Sequence, residues 1–207
     1  MEKTIDYNNL EVKDKILHVA KDLFVKNGYN GTSIRDIASA SSTNVAMVNY
    51  YYRSKYNLFE IIFEDSLEIL TGQLFKVFSS DEPLFKLIED LINTYYDTLI
   101  ENPQIPIFIL NEINLDPEKL TKRIVGRKPT EHVMKIYHRF EKEIEAGTIK
   151  RMPTLDILLN IISMCVFPFI FERLAVKVAE KTPEEYHILL KEHKKHVVDF
   201  VISALSP

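Results

Sequence analysis

Apolar residues return every three or four positions along most of this chain, and no segment of useful length alternates apolar with polar residues. The first spacing lines up side chains on one face of a helix, whereas a sheet needs a period of two. An all-α fold with about nine helices follows. Ile16, Leu17, Ala20, Leu23 and Phe24 form one such stripe within residues 10–27, and Gly28 follows as a stop. Later helices are expected at 82–101, 104–115, 117–125, 129–146, 154–179 and 183–205. Pro83, Pro117, Pro129, Pro153 and Pro183 each stand near a start, where a missing N–H costs little.

Residues 28–55 are patterned differently, as two short helices between longer ones. Thr32 and Ser33 are N-caps for the first, and Ser33 with Asp36 resembles a capping box with Asp in place of Glu. Ile34, Ile37 and Ala38 face inward. Ser41-Ser42-Thr43 breaks this helix, and Asn44 caps a second one running to about Tyr50. Ser54 then caps a long helix with Leu58, Phe59, Ile62, Leu67, Leu70 and Leu74 on its apolar side. Two short helices joined by a tight turn behind a longer packing helix make a helix-turn-helix, whose second short helix enters the major groove.

That second helix has a clear division of faces. Met47, Val48 and Tyr52 pack back, which leaves Asn44, Val45, Ala46, Asn49 and Tyr50 outward. Small Val45 and Ala46 permit close approach and contact with a thymine methyl, Asn49 pairs with adenine or phosphate, and tyrosine hydroxyls reach phosphates. Lys55 in the first turn of the next helix opposes the helix dipole, which points to an anionic partner. Thr32 and Ser33 offer hydroxyls and backbone N–H groups to a phosphate, and Arg35 lies on the same short helix.

Thr32-Ser33-Ile34-Arg35-Asp36-Ile37-Ala38, Asn44 through Tyr52, Ser54-Lys55 and Leu58-Phe59 together resemble the N-terminal signature of TetR/AcrR-family regulators. Tyr51 and Tyr52 stand where the family pattern has His and Phe, and Ser42-Thr43 where it often has Gly-Val. The resemblance implies a three-helix DNA-binding domain over 1–55, with Tyr51 among the DNA-facing residues, and a helical ligand-binding and dimerisation domain over 56–207. It further implies a homodimer formed by the last two helices, a roughly palindromic operator in double-stranded DNA, and repression relieved by a small molecule. Candidate ligand-lining residues are Phe108, Asn111, Met164, Phe167 and Phe171, although an apolar run such as 157–171 more often serves core or dimer contacts.

Composition adds exclusions. The net charge is −4, but residues 1–60 hold eight Lys/Arg against seven Asp/Glu, while the rest hold 18 against 23. The asymmetry has the sign DNA binding needs. A single cysteine, Cys165, excludes an intrachain disulfide and fits a reducing cytoplasm. The N-terminal residues carry no apolar stretch, so no signal peptide is expected. The most apolar run, between Asp156 and Glu172, is interrupted by Asn160, Ser163 and Pro168 and is shorter than the ~20 residues a spanning helix needs; it reads as a buried helix. No catalytic constellation, cofactor or metal is expected: there is no Gly-rich phosphate loop, and His193 and His196 share a face without further ligands. Lys119, Lys122, Arg123, Arg127 and Lys128 read as a solvated basic stretch. The rival reading is an all-helical protein–protein adaptor without DNA affinity.

Overall fold

The computed structural model describes residues 11–118, 121–122 and 129–207. Among them are nine helices and no strand: α1 (Val12–Asn27), α2 (Ile34–Ala40), α3 (Val45–Tyr52), α4 (Lys55–Phe78), α5 (Leu84–Glu101), α6 (Ile105–Leu115), α7 (Pro129–Glu145), α8 (Thr154–Val178) and α9 (Pro183–Leu205). Pro117, Glu118, Thr121 and Lys122 are also helical, and the remainder of the helix expected at 117–125 lies outside the described residues. So do Lys119, Arg123, Arg127 and Lys128; Lys122 is exposed.

The chain forms two compact units, Met1–Leu67 and Glu68–Pro207. The division falls inside α4, beyond the functional boundary expected at residue 55. In the first unit α2 packs on both α1 and α3. Ile16, Ala20, Phe24, Ile37, Val48, Leu58 and Phe59 are fully or almost fully buried. Phe59 meets Phe24 edge-on with centroids 5.4 Å apart, and Tyr29 lies 5.0 Å from the same ring. These aromatic contacts fix the start of α4 against α1, which is why the unit extends past residue 55. On α1, Val19 is buried while Leu17 and Leu23 are only half-buried, so the stripe is rotated slightly from its sequence reading.

The second unit is built on α5. Leu84, Leu87, Ile88, Leu91, Ile92, Tyr95, Tyr96 and Leu99 are buried at helical spacing, and α5 packs on α7, α8 and α9. Each large aliphatic side chain buried this way contributes about 1.5–3 kcal/mol of transfer free energy. From α9, Tyr186, Leu190, Val197, Val201 and Leu205 complete the core. Leu189 and Phe200, which fall on the apolar stripe of that helix, are exposed instead.

α8 is not the buried helix its composition suggests. It is long and apolar enough to cross a membrane by length and composition alone, yet it packs on α5, α6, α7 and α9, and only 28% of its most apolar window is buried. Ile157, Ile161, Cys165 and Phe169 face inward, while Leu155, Leu159, Ile162, Phe167 and Leu174 are exposed. Pro168 sits inside it. Proline has no N–H, so the carbonyl four residues earlier loses its helical donor. That carbonyl, on Met164, accepts a hydrogen bond from the Tyr96 hydroxyl at 3.0 Å, and Tyr186 donates to the Pro168 carbonyl at 2.9 Å. Burial pushes the Cys165 thiol up to about 12, so it stays protonated.

Candidate nucleic-acid interface

α1 ends at Gly28, whose φ of 75° is available to glycine without steric cost. The turn that follows is tight: a Cβ on Gly31 would lie 2.3 Å from the Asn27 carbonyl oxygen. Ser33 then opens α2 with a complete capping box. Its hydroxyl accepts from the Asp36 N–H at 3.2 Å and donates to the Asp36 carboxylate at 2.7 Å, while the Ser33 N–H donates to the same carboxylate at 2.8 Å. The two bonds from Ser33 hold the Asp36 carboxyl below its ordinary pKa. Arg35 is exposed on the outer side of α2.

Between the short helices, Ser41 donates to the Ile37 carbonyl at 2.7 Å and the Thr43 N–H to the Ala38 carbonyl at 2.8 Å. Ser42 has φ 54°, the left-handed conformation that glycine takes most easily. Asn44 caps α3, its side-chain oxygen accepting from the Met47 N–H at 2.8 Å. Val48 and Tyr52 are buried and Met47 is half-buried. The Tyr52 hydroxyl donates to the Lys13 carbonyl at 2.7 Å and ties the end of α3 to α1. Burial, with a smaller contribution from Asp14, pushes its pKa up to about 12.

The opposite side of α3 is open. Asn44, Val45, Ala46, Asn49, Tyr50 and Tyr51 are exposed, Tyr50 at 81%. The Tyr50 and Tyr51 rings meet edge-on with centroids 5.2 Å apart. A Val-Ala-x-x-Asn-Tyr surface without bulk on its first turn suits a groove floor, and the two phenols suit its phosphate walls. The chain leaves α3 through a sharp bend at Arg53, with φ 63° and ψ −45° and a 2.7 Å bond from the Ser54 N–H to the Tyr52 carbonyl. This is a γ-turn with positive φ, a strained conformation for an arginine. It leaves an exposed cation, Arg53, beside the α3 surface. Sequence patterning passed over Arg53 because neither helix claims it.

Two sequence candidates do not stand on this surface. Thr32 is 1% exposed, and its hydroxyl is shared between the carbonyls of Leu23 at 3.1 Å and Gly28 at 2.9 Å. It closes the α1–α2 turn and is not offered to a phosphate. Lys55 donates to the carbonyls of Tyr29 and Thr32, each at 3.0 Å, and its ammonium sits 4.1 Å from the Tyr29 ring centroid. Its charge against the helix dipole is thus explained by two carbonyls and a ring face. Ser33 and Arg35 remain exposed near the start of α2.

The ligand candidates are not gathered in one place. Phe108 is buried, and Met164 is half-buried against the core. Phe167 and Phe171 are exposed and stacked on each other at 5.3 Å, so they line an outer face of α8 and not an interior cavity. A run that is apolar on every side gives no indication in sequence of which side is buried. Asn111 has its buried side-chain nitrogen without an acceptor among the described residues. His193 lies against Tyr96, with ring centroids 6.2 Å apart, and burial followed by the neighbouring His196 lowers its pKa. No group of three metal-ligating side chains occurs among the described residues.

Known proteins resemble this chain in sequence and in fold. Residues 16–62 match the family described as bacterial regulatory proteins, tetR family. Over 187 residues the chain is 26% identical to the "Probable HTH-type transcriptional regulator YttP" of Bacillus subtilis (strain 168), covering 85% of this chain and 86% of that protein. Over 50 residues it is 46% identical to the HTH-type transcriptional regulator QacR of Staphylococcus aureus, covering 24% of this chain and 27% of that one. The fold resembles that of the "Probable transcriptional regulatory protein RHA5900" with a TM-score of 0.65, at 18% identity and covering 90% and 97% of the two chains. It also resembles a HlyIIR mutant protein with a TM-score of 0.59, at 24% identity and covering 94% and 97%.

Proposed function

We propose, since this chain is a DNA-binding transcriptional regulator of the TetR family, that it represses transcription from a palindromic operator as a homodimer and is released by a small molecule. The observation that carries the reading is the open face of α3, capped by Asn44 and braced from behind by Val48 and Tyr52. Val45 and Ala46 meet thymine methyls, Asn49 reads a base edge or holds a phosphate, and Tyr50 and Tyr51 meet phosphates. Ser33, Arg35 and Arg53 hold the flanking backbone. Thr32 and Lys55 act indirectly, by fixing the turn before α2. Residues 1–55 carry DNA recognition, and 56–207 carry ligand binding and dimerisation.

The dimer is formed by α8 and α9. Support comes from the apolar side chains they leave exposed: Leu155, Leu159, Phe167 and Leu174 on the first, Ile188 and Phe200 on the second. Monomeric proteins rarely leave so much large apolar surface open. A twofold axis gives two copies of α3 and hence a palindromic site. The effector binds within the second unit, where Asn111 offers a buried donor. It releases DNA only by binding the DNA-incompetent form more tightly, since equal affinity shifts nothing. The relatives named above are transcriptional regulators, and a cytoplasmic, non-enzymatic role follows from the same reading.

The test is a mobility shift on fragments selected by the protein from genomic DNA. Asn49→Ala/Tyr50→Ala is expected to lose about 2–4 kcal/mol of specific binding, from a base contact and a phosphate contact, while remaining folded. Undiminished affinity in the folded double variant would remove α3 from the interface. Absence of any salt-dependent DNA binding by the unaltered protein would favour the adaptor reading.

A further inference from the structure

Where the end of α4 and the Ser79–Asp81 turn meet α7, the second unit has a cleft of about 350 Å³, within the range that holds small molecules. One wall is a face of α7: the cations Lys135, Arg139 and Lys142, with His138 among them, recur at the helical period and all line it. The apolar lining is Phe78, Leu87 and Ile136, and Asp81 is the one acid in the lining. The nearby acids of α7 are engaged elsewhere: Glu141 accepts from the Thr154 hydroxyl at 2.5 Å, and Glu143 from that of Thr148. Arg139 is fixed in place, donating from one guanidinium nitrogen to the Ser80 carbonyl at 3.0 Å, so it is pre-organised without being neutralised. His138 is turned by its Nδ1 contact with the Met134 carbonyl at 2.7 Å.

A solvated basic helix face needs neither an apolar floor nor an anchored arginine. We infer that this cleft binds a small dianion, a carboxylate or phosphate compound with a short apolar portion. The anion lies between Lys135, Arg139 and Lys142, and the apolar portion rests on Phe78 and Ile136. Lys135, Arg139 and Lys142 less the Asp81 carboxylate leave the lining two net positive charges, which suits a dianion, while Asp81 itself repels the anion and lowers its affinity. The site is separate from the DNA surface and does not depend on the repressor reading.

Phenyl phosphate and phthalate are titrated into the full-length protein by calorimetry at constant ionic strength and mildly alkaline pH, with dimethyl phthalate as the uncharged control. At least one dianion is expected to bind, the two arms showing whether phosphate or carboxylate is preferred, and the ester is expected to give no heat. Lys135→Gln/Lys142→Gln is expected to weaken binding about tenfold or more, and Asp81→Asn to strengthen it. Both changes are at exposed positions, and thermal melts check the fold. If the double variant were to unfold, the gain expected from Asp81→Asn still tests the site. Failure of both dianions to bind, equal binding of the ester, or affinity unchanged in both variants would overturn the assignment.

Discussion

Replacing Tyr96 with phenylalanine removes one oxygen from a fully buried ring, and the cost depends on a proline in another helix. Pro168 deprives the Met164 carbonyl of its helical donor, and the Tyr96 hydroxyl supplies the bond at 3.0 Å. In Tyr96→Phe the ring still packs near Phe169 and His193, so the loss is that of a half-buried acceptor left without its donor, about 1–3 kcal/mol. In a Pro168→Ala background the residue at 168 has an N–H and bonds Met164 itself. Tyr96→Phe should there cost about 1 kcal/mol or less, leaving a coupling of roughly 1–2 kcal/mol between two residues far apart in sequence. Urea unfolding followed by circular dichroism measures all four proteins, at one protein concentration so that any self-association is held constant. In thermal melts each 1 kcal/mol corresponds to about 2–4 °C for a chain of this size. Equal costs of Tyr96→Phe in the two backgrounds would refute the compensation.

Three further outcomes are expected. Arg53→Gly relieves a positive φ at the α3–α4 bend and should raise stability by up to about 1 kcal/mol, while weakening DNA binding by loss of a cation; a lower melting temperature would show that Arg53 is not strained. Lys55→Met leaves the carbonyls of Tyr29 and Thr32 without their charged donor and should cost about 1–2 kcal/mol in this half-buried setting; an unchanged melt with weakened DNA binding would return Lys55 to the interface. Asp36 has a depressed pKa in the folded state, so its stabilising effect is present above the ordinary carboxylate pKa and is lost as pH falls through the lower folded value. Asp36→Asn should therefore flatten the acid limb of the stability profile, and an unchanged limb would contradict the capping box.

What sequence revealed divides by the range of the interactions. Ser33–Asp36, Asn44 with Met47 N–H, and Ser54 with Asn57 N–H are bonds across three residues, so spacing alone announces them. The inward and outward faces of α3 followed for the same reason. The contacts of Thr32 and Lys55 are not legible in spacing because their partners are backbone carbonyls at Leu23, Gly28 and Tyr29. Every residue has a carbonyl, and nothing in its side chain marks it as an acceptor. The exposure of Phe167 and Phe171 is not legible in sequence because α8 is apolar all round, so its buried side is chosen by α5 and α9. The basic cleft on α7 was invisible because the Ser79–Asp81 turn reaches it from a distant part of the chain.

In the proposed complex α3 reads base edges. Sites selected from random DNA by the wild-type protein and by Val45→Ala and Asn49→Gln most directly test it. Both variants should retain binding and shift base preference at one or two positions in each half of a symmetric site. Identical preferred sequences for all three proteins, or a uniform loss across every sequence, would contradict it.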